Sequence, residues 1–211
     1  MARPDKDSAG DTAMRILDVA EHLVQTRGFN GFSYADVAAE INITTASLHY
    51  HFPGKAELGR ALIARYATNF FEALADIERR LPDAPARLQA YAELYSRVLR
   101  EQRLCLCGML AAEYQTLPAQ MREAVITFFD DNEAWLTRVL EVGRQEGTFD
   151  FTGSAAGIAR MIICGLEGAM LVARPYGESD RFQAAAAQLL SGLKKGVSSP
   201  TEAPAASPAT V

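Results

Sequence analysis

The most informative polar residues of this sequence lie between residues 44 and 51, where hydroxyl, imidazole and phenol groups follow one another. The segment reads Thr44, Thr45, Ala46, Ser47, Leu48, His49, Tyr50 and His51. If it is helical, Ala46 and Tyr50 lie near the centre of the outward face, while Leu48 points inward. Small side chains on such a face let a helix approach base edges, and the hydroxyl and imidazole groups can donate to bases or phosphates.

A single lysine follows this segment after a turn. Lys55 comes directly after Pro53 and Gly54, so it opens the next helix. An ammonium group beside the free N–H groups of a helix N-terminus is suited to an anion. We therefore predict a phosphate clamp at Lys55.

The residues before Thr44 predict how this helix is positioned. Ser33 and Asp36 have the spacing of an N-cap and an acidic first-turn residue. Asn42 ends the short helix that follows, and asparagine tolerates the positive φ that a tight turn needs. Thr44 can cap the second helix. Two short helices joined by a three- to four-residue turn form a helix-turn-helix, although the pattern alone also fits a solvated helical corner.

The sequence offers little for catalysis or metal binding. Its histidines are His22, His49 and His51, and the strings HExxH, CxxC, GxSxG and a P-loop are absent. Cys105 and Cys107 would point about 200° apart on a helix, so they cannot share one metal ion. They are either small buried side chains or reactive thiols. We expect no enzymatic activity, no cofactor and no metal.

Composition excludes further classes of protein. The 211 residues carry a net charge of -5, which argues against a protein that coats nucleic acid through bulk charge. No uncharged run reaches the roughly 18 apolar residues of a membrane span, and the N-terminus lacks the apolar core of a signal peptide. Three cysteines are too few for a disulfide scaffold, so we expect a cytoplasmic protein that does not bind membranes.

Apolar spacing along the chain is helical almost throughout. It predicts an all-α protein of about nine helices, with a helical bundle and a small N-terminal unit. Residues 154–173 contain only Arg160 and Glu167 as charged residues, which indicates a helix buried on two sides. From residue 196 the sequence is rich in Ser, Pro, Thr and Ala, and we predict a disordered tail over 196–211.

A longer string resembles the DNA-binding domain of the tetracycline-repressor (TetR) family. The matching residues, over about 14–58, are Gly28-Phe29, Gly31-Phe32-Ser33, Asp36-Val37-Ala38, Ser47-Leu48, Tyr50-His51-Phe52 and Lys55-Ala56-Glu57-Leu58. The resemblance implies a three-helix DNA-binding domain over 1–60, with its helix-turn-helix at 33–52. A helical effector-binding and dimerisation domain would follow over 61–195. The implied DNA contacts are Ser33, Thr44, Thr45, Ala46, Ser47, His49, Tyr50, His51 and Lys55.

Three positions depart from the family pattern. Asn42 replaces the usual turn glycine, Thr45 stands where lysine is common, and His49 replaces the usual tyrosine. The turn should tolerate Asn42. The other two changes mean that the operator sequence cannot be inferred from the family.

The resemblance also implies a homodimeric, ligand-responsive regulator, most often a repressor that a small molecule releases from a palindromic operator. We place the dimer interface at Gly165, Gly168, Ala169 and Leu189. For a largely apolar effector, the candidate lining residues are Phe70, Tyr91, Tyr95, Cys107, Met109, Phe128, Phe129, Trp135 and Met161. Glu113 either faces a cationic effector or is a solvated surface carboxylate.

Two alternatives stay open. One is a repressor that senses electrophiles or oxidants through Cys105 or Cys107, with Arg103 favouring a thiolate. The other is a DNA-binding architectural protein without an effector.

Overall fold

The structure, a computed structural model, describes residues 6–193, with side chains described from residue 10 onward. It confirms the predicted all-α fold, and the described range contains nine α-helices. They are α1 (Lys6–Arg27), α2 (Tyr34–Glu40), α3 (Thr45–His51), α4 (Lys55–Arg80), α5 (Ala84–Arg100), α6 (Leu106–Ala112), α7 (Ala119–Gln145), α8 (Ala155–Ala173) and α9 (Asp180–Ser191). The predicted tail lies outside the described residues.

The first three helices and the start of α4 share a small core. Ile16, Ala20 and Val24 recur on one face of α1 and are fully buried, as expected for an amphipathic helix. Gly28 ends α1 with a φ of 85°, and its N–H donates to the Val24 carbonyl oxygen at 2.9 Å. Glycine adopts this left-handed conformation without steric cost.

Helix α4 belongs to both parts of the molecule. It runs without a break from Lys55 to Arg80, across the predicted domain boundary at residue 60. Leu58 and Leu62 are buried towards its N-terminal end, and Leu74 and Ile77 are buried towards its C-terminal end. One rigid element therefore reaches from the helix-turn-helix into the bundle.

The remaining helices form the bundle, in which α8 packs between α7 and α9. By length and composition alone, the segment Ala155–Tyr176 could cross a membrane. Ile162 and Leu166 of this segment are fully buried, and a core helix passes the same test, so this is weak evidence for a membrane span.

Candidate functional site

The helix-turn-helix has the local structure that its sequence predicts. Ser33 caps α2 in a capping box: the Asp36 N–H donates to Ser33 Oγ at 3.3 Å, and the Ser33 N–H donates to Asp36 Oδ2 at 2.6 Å. Thr44 caps α3, and its Oγ1 accepts from the Ser47 N–H at 3.1 Å. Asn42 adopts the positive φ expected of it, 56°.

Helix α3 presents an exposed polar face. Leu48 is fully buried, whereas Thr44, Thr45 and Ala46 are exposed and Tyr50 is 75% exposed. Because Leu48 anchors one side, the opposite side is held outward in a fixed orientation. The described first turn of α3 has no acidic residue, so nothing there repels a phosphate.

His49 is held against the neighbouring helix. Its Nδ1 lies 3.1 Å from the Pro53 carbonyl oxygen, and its ring centroid lies 4.7 Å from that of Tyr34. The Tyr34 hydroxyl donates to the Phe52 carbonyl oxygen at 3.0 Å. Burial, followed by the charge of Glu57, raises the pKa of Tyr34 to about 12. These contacts orient His49 at the edge of the exposed face of α3.

The Lys55 ammonium faces inward in this structure. It donates to the carbonyl oxygens of Phe29 and Phe32, and lies 4.7 Å and 4.2 Å from the centroids of their rings. Burial lowers the pKa of Lys55. Here the side chain fixes the loop between α1 and α2. Its predicted phosphate contact would require the ammonium to leave these partners.

Glu113 is half-buried and lines none of the cavities described below, and its carboxylate is held by backbone partners. Its carboxylate accepts the N–H groups of Phe29 at 2.6 Å and Asn30 at 3.2 Å. The Asn30 side chain also donates to Thr116 Oγ1 at 2.7 Å. Glu113 follows α6 directly, so it joins the bundle to the loop that precedes the helix-turn-helix.

Other parts of the bundle also form hydrogen bonds with the C-terminal end of α1. The Leu104 N–H donates to the Gln25 carbonyl oxygen at 3.1 Å, and Arg103 Nη1 donates to Gln25 Oε1 at 2.9 Å. Arg174, just after α8, donates to the Thr26 carbonyl oxygen. We call these contacts and those of Glu113 the α1 junction.

A cavity of about 450 Å³, larger than the second one described below, lies between α6, α7 and α8. Its walls are mostly apolar, and it contains the predicted lining residues Met109 and Phe129. A second cavity, of about 220 Å³, lies beside α4 and α5 and contains the predicted residues Phe70 and Tyr95. Met170 lines both cavities and so lies between them.

The other predicted lining residues lie outside these two cavities. Tyr91 and Phe128 are buried in an aromatic core, and the Tyr91 ring stacks on Trp135 with centroids 5.6 Å apart. Cys107 is fully buried in the same core region, and Met161 is 44% exposed on the surface of α8. Trp135 instead lines a third cavity, of about 340 Å³, together with Phe71 and Leu74 of α4. The other four side chains line none of these three cavities.

A carboxyl group, Glu167, lies buried in the wall of the larger cavity. Its Oε1 atom is buried without a hydrogen-bond partner, and the carboxyl group lies close to the Cys105 thiol. Burial raises the pKa of Glu167 to about 7. A Cβ atom at position 108 would lie 2.3 Å from Glu167 Oε2, so Gly108 makes room for this oxygen. Among the described residues no group of three His, Cys, Asp or Glu side chains is placed to hold a metal ion.

The two predicted sensor cysteines are buried. Burial, followed by the nearby Glu167 charge, raises the pKa of Cys105 and of Cys107 well above its usual value. Arg103, expected to favour a thiolate, instead pairs with Glu101 and Gln25. A thiolate is the reactive form, so this environment disfavours electrophile sensing at either residue.

The four predicted dimer residues divide into two groups. Gly165 allows α9 to approach α8 within the protomer, because a Cβ atom there would lie 2.8 Å from Leu189 Cδ2. Ala169 is partly buried against the core. At Gly168, by contrast, an added Cβ atom would meet no other atom within 4 Å. The exposed side of α8 instead carries Gly168, Met161, Leu171 and Val172, of which Gly168 and Leu171 also line the 450 Å³ cavity.

Family models match most of the described chain. Residues 16–62 match the model for bacterial regulatory proteins of the tetR family. Residues 84–189 match the tetracyclin repressor-like C-terminal domain. The chain belongs to the TetR family. Members of this family are DNA-binding transcriptional regulators and not enzymes, in agreement with the sequence analysis.

Individual relatives are similar to this chain over most of its length. A TetR-family regulator from Agrobacterium tumefaciens is 32% identical and superposes with a TM-score of 0.86, over 89% of this chain and 100% of that one. A Legionella pneumophila TetR regulator is also 32% identical, with a TM-score of 0.78, over 92% and 100%. The transcriptional regulator AcuR of Cereibacter sphaeroides is 27% identical over 81% of this chain and 78% of its own.

Sequence reasoning missed the positions of Glu113 and Glu167. For Glu167 a signal was present, because it is one of only two charged residues in an otherwise apolar helix. A charged residue in such an apolar helix indicates either a specific ion-pair or hydrogen-bond partner or a functional site. For Glu113 the sequence carries no comparable signal.

Proposed function

We propose that this protein is a cytoplasmic, homodimeric repressor that a small molecule releases from a palindromic operator. The observation that carries the DNA-binding part is the exposed face of α3, centred on Tyr50 and held outward by the buried Leu48. The capped turn before it fixes its orientation. Such a helix can enter the major groove while its hydroxyl groups reach bases and phosphates.

This proposal is tested by selecting an operator from random DNA fragments and measuring the affinity of variants for it. Tyr50→Ala should weaken binding by about 5-fold or more, because the exposed ring is at the centre of the reading face and a good base contact contributes about 1–3 kcal/mol. Ile126→Ala, which shortens another exposed side chain on α7, is the control and should bind like the parent. Equal affinity of parent and Tyr50→Ala would show that α3 does not read the operator.

The exposed apolar side of α8 supports the dimer. Leu171 and Val172 are 62% and 64% exposed, and Met161 lies on the same helix. Exposed apolar surface of this kind is typical of an interaction site. A two-fold axis beside α8 would place two α3 helices to read half-sites about 34–36 Å apart. Sedimentation that shows a monomer at micromolar concentration would contradict the dimer.

The cavity between α6, α7 and α8 supports an effector. At about 450 Å³ it has the size of a small-molecule site, and α6 extends from it towards the α1 junction. An architectural protein would have no need of such a cavity. Repeating the operator selection in the presence of a metabolite panel should reveal compounds that release the DNA. If no class of compound does so, the effector part of the proposal fails and the DNA-binding part stands.

A further inference from the structure

We propose that the cavity between α6, α7 and α8 binds a protonated amine with an apolar body, whose N–H group donates to Glu167. The inference rests on the proposed function for its regulatory meaning, but the binding site itself does not depend on DNA. It names the chemical class of the ligand from three features of the cavity: its walls, its charges and one unpartnered atom.

The walls select an apolar body. Leu104, Met109, Phe129, Ile163 and Met170 are among the lining residues, and apolar surface predominates in the cavity. Burying an apolar chain against such walls is favourable roughly in proportion to the area removed from water. The ligand must therefore be largely hydrocarbon.

The charges select a cation. Asp130, Glu133 and Glu167 line the cavity, and the cation among its lining residues is Arg160. Arg160 already pairs with Glu133, with Nε and Oε2 2.8 Å apart. Asp130 is exposed and also lies near the Arg160 charge, so Glu167 is the carboxyl group of this cavity without a cation beside it. A cationic ligand would be attracted to Glu167, whereas an anionic one would be repelled.

The unpartnered atom selects an N–H donor. Glu167 Oε1 is buried without a hydrogen-bond partner, and a buried acceptor in that state costs free energy until a donor reaches it. The other interaction of the carboxyl group, with the Cys105 thiol, places it at the N-terminal end of α6. An ammonium N–H would supply both the hydrogen bond and the compensating charge. The raised pKa of Glu167 agrees with a carboxyl group that lacks a cationic partner.

Calorimetric titration of the full chain, without DNA, tests the ligand class. The probes are n-octylamine, octan-1-ol and octanoate, which share a chain length and differ in their polar group. Octylamine should bind about 30-fold or more tightly than octan-1-ol, because it forms a buried charge-assisted pair. Octanoate should bind most weakly. N,N,N-trimethyloctylammonium has the charge without an N–H donor, and it should bind more weakly than octylamine.

Glu167→Gln locates the site. This nearly isosteric variant should lose the preference for the amine while its affinity for octan-1-ol stays within about 3-fold. Glu141→Gln, which removes an exposed carboxylate of α7 outside the cavity, should keep the preference. If octylamine and octan-1-ol bind the parent equally, or if Glu167→Gln keeps the preference, the proposal is overturned.

The probe series in the parent protein decides the ligand class even if Glu167→Gln fails to fold. Operator release is then measured separately with octylamine. Amine binding without release would sustain the ligand class and contradict cavity-driven release. Operator release by compounds whose binding does not depend on Glu167 would contradict the ligand class and support cavity-driven release.

Discussion

The contacts of Lys55 and Glu113 could not be inferred from their residue types alone. Lys55 and Glu113 carry opposite charges, and both bind backbone groups of the loop between α1 and α2. The loop precedes Ser33, which caps α2. Glu113 therefore joins this loop to the bundle, and Lys55 joins it to the start of α4.

Removing the Glu113 carboxylate should loosen this loop. Glu113→Ala leaves the N–H groups of Phe29 and Asn30 without their charged acceptor, at a cost of about 1.5–3 kcal/mol per charged hydrogen bond. Hydrogen exchange should show faster exchange at both amides. Glu141→Ala, at an exposed site on α7, serves as the control. Unchanged protection in Glu113→Ala would mean that the α1 junction does not depend on this carboxylate.

The turn residue Asn42 should be replaceable by glycine but not by a β-branched residue. With φ at 56°, Asn42→Gly keeps the turn without strain, whereas Asn42→Val should lose roughly 1–2 kcal/mol of unfolding free energy. Urea denaturation at equal protein concentration measures both. A valine variant as stable as the parent would contradict the strain argument.

Glu167 should make stability depend on pH. Its folded-state pKa, about 7, lies above its usual 4.5. The folded protein therefore holds this proton more tightly than the unfolded chain does. Its stabilising contribution is complete below about pH 4.5 and is lost as the pH rises to about 7.

Glu167→Gln resembles the protonated acid and should escape this loss. Relative to the parent, the variant should gain about 1–3 kcal/mol of unfolding free energy between pH 5 and pH 8. Urea unfolding at the two pH values tests this, and Glu141→Gln should show no such gain. An equal difference between parent and Glu167→Gln at both pH values would contradict the assigned pKa.

At the scale of the elements, α8 performs two packing tasks with two faces. One face uses Gly165 to admit Leu189 of α9, and another leaves Gly168 with open space. Helix α3, by contrast, has a single anchored face. Its N-cap and Leu48 position an exposed surface.

Leucine substitutions at Gly165 and at Gly168 of α8 should separate these two packing roles. Gly165→Leu should overpack the α8–α9 contact and lower the unfolding free energy by about 1–3 kcal/mol. Gly168→Leu fits within the protomer, so it should leave the fold intact and weaken self-association. Sedimentation and urea unfolding on both variants give the comparison. A dimeric Gly168→Leu at micromolar concentration would place the interface elsewhere.

Across the whole molecule, one helix leads from each of the two cavities towards the DNA-binding domain. Helix α6 passes the cavity and ends at Glu113, which binds the α1–α2 loop. Helix α4 runs from Lys55 past the second cavity, and Arg65 ties it to Asp18 and Glu21 of α1 at 2.7 Å each. An effector that shifts α6 or α4 would bias the orientation of α3.

Softening the middle of α4 should reduce coupling more than operator affinity. Ala64→Gly combined with Thr68→Gly, both at exposed positions, lowers helix propensity by up to about 1 kcal/mol per site without changing the register. Operator affinity without effector should stay within about 3-fold, and the effector-induced decrease in affinity should become smaller. Glu72→Gly with Ala75→Gly, nearer the C-terminal end of α4, is the matched control. An undiminished effector response in the Ala64/Thr68 variant would leave α6 as the route.

Local interactions explain which features of this protein could be predicted from its sequence. The helix-turn-helix, its caps at Ser33 and Thr44 and the positive φ of Asn42 depend on residues three or four positions apart, so their patterns are legible along the chain. The family motif over about 14–58 added the DNA-binding function. Contacts between residues far apart in the sequence became visible only in the tertiary structure. Glu113 meets Phe29 across 84 positions, and Glu167 meets Cys105 between two helices. No periodicity predicts such partners, because the packing of whole helices determines which side chains meet and which carboxyl group is left facing a cavity.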